Sequence, residues 1–242
     1  LIPDGKKGVE DPGSPIYLDE NIISQPAAAL QLVAKEIFRM SDQVRDILKK
    51  TIELVKNEEV KSIDGLKENG EQVERLGKCI TEYLAALFSS GSLTEQQAAQ
   101  TASLMCVLSD VERMGTLSVE MAECMLERSD RKYKYTPEAM DELQKSLKVL
   151  NKMFCDSLKA LQGDDGIEPG KMMKRKDKLL DLDIKMRKAH IERVNKGKCK
   201  ASLTAPFTNI LHLIDRMGNS CINLADVAES GTSMKYFMLE EK

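Results

Sequence analysis

The stretch FTNILHLIDRMGNSCINLADVAE, residues 207–229, contains a motif that occurs twice in the chain. Its centre, IDRMG at 214–218, corresponds to VERMG at 111–115, and alignment of Arg113 with Arg216 gives an offset of 103 residues (216 − 113 = 103). Beyond the glycines, Glu123 corresponds to Asp226 at the same offset. Self-similarity at a fixed spacing is typical of a repeated structural unit. The sequence therefore predicts an internal duplication in which one helix is used twice.

Each copy of this helix carries polar side chains along one face. Positions i, i+4, i+8 and i+11 are polar in both copies, and residues three or four apart share a helix face. With the two arginines they form a set that we call the signature stripe: Glu112, Arg113, Thr116, Glu120 and Glu123 in the first copy, and Asp215, Arg216, Asn219, Asn223 and Asp226 in the second. Gly115 and Gly218 lie inside the pattern, although glycine costs about 1 kcal/mol relative to alanine in a helix. Two explanations are open: close approach of a neighbouring helix, or room for a ligand.

The two motifs resemble the signature helix of PhoU domains. That family consists of two repeated three-helix bundles and is tied to phosphate uptake and its regulation. Three further segments resemble the cytoplasmic tail of bacterial sodium/phosphate cotransporter-like proteins: YLDENIISQPAAAL at 17–30, VERLGKCITEYL at 73–84 and HIERVNKGKC at 190–199. The resemblance covers residues 17–229. It implies an all-α fold, a regulatory role, and a membrane-embedded part outside this sequence.

The composition agrees with a folded helical protein. Hydrophobic residues make up 42% of the 242 residues and charged residues 31%, with 4% aromatics, no Trp and 13 Met. A core without large rings suits helix-on-helix packing. The net charge of −3 provides no basic field for nucleic acid. Six scattered cysteines without a C-x-x-C pair are typical of reduced thiols, which predicts a cytoplasmic location. No apolar run is long enough to span a membrane.

Helical periodicity and turn residues divide the chain into five parts. Residues 1–25 are rich in Pro and Gly, which predicts an extended arm. The later half of this arm is expected to pack against the folded body through Ile16, Leu18, Ile22 and Ile23. Residues 26–128 and 136–231 each contain three long helical patterns. Residues 129–135 form a polar joint and residues 232–242 a tail. The predicted fold is all-α, with two tandem three-helix bundles.

Catalytic chemistry has no support in the sequence. There is no nucleophile elbow, no Gly-rich phosphate loop, no Glu-x-x-His pair and no clustered Cys/His set. We therefore predict no catalytic residue. His190 is interpreted as a packed or capping residue rather than a ligand. The basic stretch 185–200 has two interpretations: a solvated helix C-terminus, where cations suit the dipole, or a contact with an acidic partner or anionic lipid.

A metal site is expected only in the second half. The resemblance implies metal clusters held by E/D-x-x-x-D motifs, because carboxylates at i and i+4 can bind one hard cation together. In this chain Thr116 and Asn219 replace the second acid of each signature motif. Only Asp177 and Asp181 keep both acids. We predict no multinuclear cluster in the first half, and at most a weakly bound divalent metal between Asp177, Asp181 and Asp215. No other cofactor is expected.

The sequence therefore predicts a non-catalytic PhoU-like regulatory module of a sodium/phosphate cotransporter-like membrane protein, on the cytoplasmic side of the inner membrane. Its expected partner is the transporter portion, within the same polypeptide. The alternative is a freestanding PhoU-type adaptor that binds a separate phosphate transporter or a sensor kinase. A metal-dependent carboxylate enzyme is a third, weaker alternative. Homo-oligomerisation is compatible with all three.

Overall fold

The computed structural model describes residues 11–56, 60–130, 134–163 and 169–230. Within these ranges the chain forms six α-helices and no β-strand. The helices are α1 (Pro26–Lys56), α2 (Asp64–Ser89), α3 (Glu95–Asp130), α4 (Pro137–Leu161), α5 (Pro169–Asn195) and α6 (Thr204–Glu229), with short 3-10 helices at Glu20–Ile22 and Ala201–Leu203. The predicted all-α fold is confirmed. The tail at 232–242, residues 1–10 of the arm and residues 131–133 of the joint lie outside the described residues.

Helix ends follow local signals in the sequence. At the start of α3, the Thr94 amide donates to the Gln97 side chain (2.9 Å) and the Gln97 amide donates to the Thr94 hydroxyl (3.2 Å). This reciprocal arrangement is a capping box, which satisfies two amides that have no intrahelical acceptor. Thr136 caps α4, where Pro137 occupies the first turn. Gly197, with φ of +69°, follows the end of α5 in the left-handed conformation.

The burial pattern extends the duplication to all three helix pairs. Buried positions in α1, α2 and α3 reappear in α4, α5 and α6 at the offset of 103 found in the signature motifs. The pairs are Met40 and Leu143, Val44 and Leu147, Ile47 and Leu150, Leu76 and Leu179, Tyr83 and Met186, Met114 and Met217, and Met121 and Leu224. The paired positions of the two halves can therefore be compared at this offset.

The helices pack as two sets of three that share one apolar core. Helices α1, α2 and α3 contact one another, and so do α4, α5 and α6. The two sets meet through contacts of α3 with α6 and of α1 with α4. Helices α2 and α5 therefore lie on the outer sides of the molecule. The limits proposed for the two domains, 26–128 and 136–231, stay a prediction.

The signature glycines lie at close helix contacts. A Cβ atom on Gly115 would meet Val44 Cγ2 at 3.3 Å, and one on Gly218 would meet Leu179 Cδ1 at 3.1 Å. Both separations are shorter than ordinary van der Waals contact. The structure therefore favours close packing over ligand room as the reason for these glycines.

The N-terminal arm is held by a buried carboxylate. Glu36 of α1 is fully buried and accepts hydrogen bonds from the amides of Ile16 (2.9 Å) and Tyr17 (2.7 Å). Tyr83 of α2 donates from its hydroxyl to the carbonyl of Asp19 (2.8 Å). Leu18, Ile22 and Ile23 pack against the core as expected. Ile16 does not, since half of its surface is exposed.

Candidate functional site

An open groove of about 810 Å³ runs between α2 and α3. Four members of the signature stripe line it from the α3 side: Glu112, Thr116, Glu120 and Glu123. The α2 side supplies Lys67, Gly70, Glu71, Val73, Glu74, Arg75 and Lys78. The first copy of the stripe therefore forms one wall of this groove.

Glu112 is a half-buried acid in the wall of this groove. Its carboxylate lies against α2 at Gly77, where any side chain would overlap it. Burial raises the pKa of Glu112 above its ordinary value, and the nearby carboxylate of Glu74 raises it further. Thr116, one turn later, donates its hydroxyl to the Glu112 backbone carbonyl (3.2 Å). The groove thus holds a half-buried acid with an increased tendency to keep its proton.

The remaining charges of the groove are partly compensated. Lys67 pairs with Glu123 at 2.9 Å, and Arg216 of α6 reaches Glu120 of α3 at 3.9 Å. Five acids and three cations line the groove: Glu71, Glu74, Glu112, Glu120 and Glu123 against Lys67, Arg75 and Lys78. The groove walls therefore carry more negative than positive side chains, which favours a cationic ligand or partner segment.

The second copy of the stripe has a different environment. Lys176 of α5 bridges to Asp215, with 2.5 Å between Nζ and the carboxylate and 3.1 Å to its backbone carbonyl. Asn223 donates to Asp110 of α3 at 3.2 Å, so this residue connects α6 to α3. Asn219 and Asp226 are exposed, and Arg113 of the first copy is exposed as well. The lysine occupies the place where the first half has its groove.

The three acids proposed for a metal are not brought together. In the described part of the chain no three His, Cys, Asp or Glu side chains form a group that could hold a metal ion. Asp215 is engaged by Lys176, while Asp177 and Asp181 are exposed on the surface of α5. A lysine therefore supplies positive charge where we had expected a weakly bound cation.

His190 is a packed residue. It is 2% exposed, its ring stacks on Phe207 with centroids 4.7 Å apart, and Nε2 lies 3.0 Å from the Thr204 hydroxyl. Burial lowers the pKa of His190 below its ordinary value, and the charge of Arg193 lowers it further. The ring thus joins the end of α5 to the start of α6.

Sequence reasoning missed two features of the site. Gly77, which admits the Glu112 carboxylate, lies in the quoted segment 73–84, but a single glycine does not reveal what occupies its space. Lys176 has Val73 as its counterpart, and comparison of the two halves on α2 and α5 would have identified it.

Among the described helices, none combines the length and apolar character that a membrane crossing requires.

Comparisons with known proteins agree with this fold. Residues 37–125 match the family model of the PhoU domain. The phosphate-specific transport system accessory protein PhoU homolog 1 of Thermotoga maritima is 24% identical over 209 residues, which cover 85% of this chain and 88% of that protein. The crystal structure of PhoU from Pseudomonas aeruginosa has a TM-score of 0.74 at 13% identity and covers 81% of this chain and 93% of its own. The resemblance to PhoU domains is confirmed. None of these matches concerns a cotransporter tail.

Proposed function

We propose that this PhoU-like chain is a non-catalytic regulatory adaptor of phosphate transport. The observation that carries the proposal is the match to an accessory protein of phosphate transport along 88% of that protein's length. The fold similarity to a PhoU structure extends over 81% of this chain, so it supports the same helical architecture in both halves.

The α2–α3 groove is the surface through which the adaptor contacts its partner. Its acidic walls and half-buried Glu112 suit a basic segment of a phosphate transporter or of a sensor kinase. A groove of about 810 Å³ accommodates several side chains of such a segment. Glu71 and Glu74 are exposed on its α2 wall, so their charges are accessible to a partner.

Two arrangements of the partner differ in testable ways. The comparisons favour an adaptor that binds a separate transporter or kinase. The segments at 17–30, 73–84 and 190–199 favour the second candidate, a regulatory module in one polypeptide with a cotransporter. In that arrangement the arm at residues 11–25, held by Glu36 and Tyr83, connects the module to the transporter. Membrane-spanning segments encoded upstream of Leu1 in the gene would decide for the second.

A cellular experiment tests both the function and the groove. The gene is deleted, and phosphate uptake is measured after complementation with the wild type, with Glu71→Lys/Glu74→Lys, or with the control Asp46→Lys/Glu53→Lys on the exposed side of α1. We expect the deletion to alter uptake and its response to external phosphate. The wild type and the control should restore both, and the groove variant should not.

The possible failures of this experiment are distinct. If deletion leaves phosphate uptake unchanged, the proposed function is wrong. If the groove variant complements as well as the control does, the function stands but the groove is not the contact surface. Release of phosphate from phosphate esters by the purified chain with added divalent metals would instead favour the enzyme alternative, and we expect no activity above background.

A further inference from the structure

Helix α5 exposes a row of large apolar side chains along one side. Four residues that are 52–56% exposed form this row, which we call the apolar ridge: Met173, Leu180, Ile184 and Ile191. On a helix of 3.6 residues per turn, these positions fall within about 40° of one another and extend over about 27 Å. A contiguous set of exposed apolar side chains marks a surface that contacts another molecule.

The fold does not require the apolar ridge. At the offset of 103, three of its four residues correspond to Gly70, Gly77 and Thr81 of α2. The fourth, Ile191, corresponds to Phe88, which is also exposed. Helix α5 therefore carries apolar surface that the equivalent outer helix of the first half lacks.

The ridge belongs to a seam with the spacing of a coiled coil. Positions 173, 177, 180, 184, 187 and 191 alternate steps of four and three residues, so all six lie on one side of α5. Four members of the seam are apolar, one is acidic and one is basic. The seam is symmetric about position 182, with pairs at two, five and nine residues on either side: Leu180 and Ile184, Asp177 and Arg187, and Met173 and Ile191.

We propose that α5 pairs with α5 of a second copy of this chain, in antiparallel orientation about a two-fold axis at position 182. A two-fold contact uses the same surface on both copies, so each member of the seam meets its symmetric counterpart. Leu180 packs against Ile184 of the partner subunit, and Met173 packs against Ile191 of the partner subunit. Asp177 faces Arg187 of the partner subunit, and this pair occurs twice in the dimer.

The charges of the seam select both the occupant and its orientation. In parallel pairing, Asp177 would face the partner's Asp177 and Arg187 would face the partner's Arg187, so both contacts would be repulsive. Asp177 is exposed and takes part in no ion pair among the described residues, so its carboxylate is available across the axis. Arg187 binds Asp183 at 2.7 Å, and 32% of its side chain remains exposed. The seam is therefore complementary to a second, antiparallel copy of itself.

The contact is small, so the dimer should be weak. One helix pair of this length buries less than the roughly 1,600 Å² of a standard interface. The two copies of Asp181 also approach each other near the axis, at the exposed rim, where their repulsion opposes association. We expect a dissociation constant of roughly 10–100 µM. Helix α2 makes its principal contacts with α1 and α3, so the α2–α3 groove stays open in both copies.

Sedimentation equilibrium of the purified full chain tests this dimer. The chain is studied under reducing conditions because its six cysteines are free. The apolar variant is Leu180→Gln/Ile184→Gln, and its control is Phe88→Gln on exposed α2 surface. The charge variants are Asp177→Arg and Arg187→Asp, and their control is Glu53→Arg on exposed α1 surface. Circular dichroism verifies that each variant is folded.

We expect a reversible monomer–dimer equilibrium for the wild type and for both controls. The apolar variant removes four half-exposed side chains from the dimer, each worth roughly fivefold, so dimerisation should weaken by about 100-fold or more. Each charge variant alone places like charges opposite each other at two points and should weaken dimerisation by roughly tenfold. An equimolar mixture of the two charge variants should dimerise as the wild type does, because each charge then faces one of opposite sign.

Several results would overturn the proposal. The wild type would stay monomeric at concentrations up to roughly ten times the expected dissociation constant, or the folded apolar variant would still dimerise. Charge variants that dimerise separately as tightly as the wild type would exclude antiparallel pairing at position 182. If the apolar variant does not fold, the mixture of charge variants decides, since absence of recovery contradicts the pairing. A monomeric chain whose ridge binds an amphipathic helical peptide would assign the ridge to another protein instead.

Discussion

Glu112 and Asp215 are the same position of the duplicated helix, yet their surroundings are opposite. Glu112 lies half-buried against Gly77, and burial raises its pKa. Asp215 is half exposed and paired with Lys176. In the first half an open groove surrounds the acid, whereas in the second half a lysine side chain crosses from α5 to α6. The helix order and the buried positions recur in the two halves, whereas the charge environment of the signature acid differs.

Two substitutions on the outer helices explain the difference. At the offset of 103, Val73 corresponds to Lys176 and Gly77 to Leu180. Val73 Cγ1 lies 3.5 Å from the Cβ position of Gly115, and Lys176 Cδ lies 3.6 Å from that of Gly218, so the two side chains occupy equivalent places. The side chain of Val73 ends at this place, whereas the longer side chain of Lys176 reaches the carboxylate of Asp215. The fold therefore tolerates either chemistry at the signature stripe.

The largest expected difference between the halves is at their glycines. Leucine introduced at Gly115 would meet Val44 and Val73, whose β-branched side chains are buried and stiff. At Gly218 one of the two neighbours is the flexible end of Lys176. Overpacking typically costs about 1–3 kcal/mol. We expect Gly115→Leu to lie near the upper end and Gly218→Leu near the lower, as measured by urea unfolding.

Alanine provides the matched control for this pair. Gly218→Ala should be close to neutral, because the helix propensity of alanine, worth about 1 kcal/mol, offsets the tight contact. Gly115→Ala should also be close to neutral, because its Cβ atom would come no closer than 3.3 Å to Val44. Equal losses for the two leucine variants would show that the two glycine contacts are not distinguished by their neighbours.

A smaller effect is expected from the ion pair of the second half. Exposed ion pairs typically contribute about 0.2–1 kcal/mol, and Asp215 is half exposed. A double-mutant cycle with Lys176→Met and Asp215→Asn should give a coupling free energy in this range. The corresponding cycle in the first half, Val73→Ala with Glu112→Gln, should give none. Coupling of similar size in both cycles would contradict the contrast drawn above.

The pH dependence of stability should reflect the half-buried acid of the first half. Because burial raises the folded-state pKa of Glu112 above its ordinary value of 4.5, the folded state disfavours the charged form. This penalty is absent when both states are protonated and grows as the pH rises through the interval between the unfolded and folded pKa values. Glu112→Gln should therefore raise the melting temperature at neutral pH and lose this advantage in acid. A constant difference at all pH values would be inconsistent with a raised pKa.

The smallest and most local effect is expected on the pKa of Glu112, when the lysine of the second half is introduced at the corresponding position of the first half. Val73→Lys should place an ammonium group near Glu112, as Lys176 does for Asp215, and a nearby cation lowers the pKa of a carboxyl group. Carboxyl titration by NMR, with the Glu112 signal assigned from Glu112→Gln, measures the change. If the pKa of Glu112 does not fall in this variant, Val73 and Lys176 do not occupy equivalent places.

The fold was predictable because its determinants are local or periodic. Apolar spacing indicated six long helices, and capping residues such as Thr94 and Thr136 marked their starts. The repeated signature with Arg113 and Arg216 indicated the duplication, which burial then extended to every helix pair. Helical spacing also identified which residues share the stripe, and therefore which side of α3 lines the groove.

The site was less predictable because its contacts join residues distant in sequence. The way in which helices and the arm approach each other cannot be read from local sequence. This approach decides that Glu36 binds the arm and that Gly77 leaves space for the Glu112 side chain. The proposed metal acids show the same limit. Asp177 and Asp181 share a face of α5 by spacing, but the side chain that reaches Asp215 is their neighbour Lys176. Similarly, the cationic groove that Lys148 of α4 and Lys178 of α5 help to line combines two helices, whereas the sequence drew attention to the basic stretch 185–200.

The outer position of α2 and α5 has a consequence for how the molecule opens. Helices α1, α3, α4 and α6 form the contacts between the two halves, while α2 and α5 each pack only within their own half in the principal contacts. Local unfolding generally begins in elements with the fewest buried contacts. Amide hydrogens of α2 and α5 should therefore exchange with solvent before those of the central four helices. The α2–α3 groove has one wall on α2 and the groove between α4 and α5 has one wall on α5, so a partner bound in either groove would slow amide exchange in that outer helix.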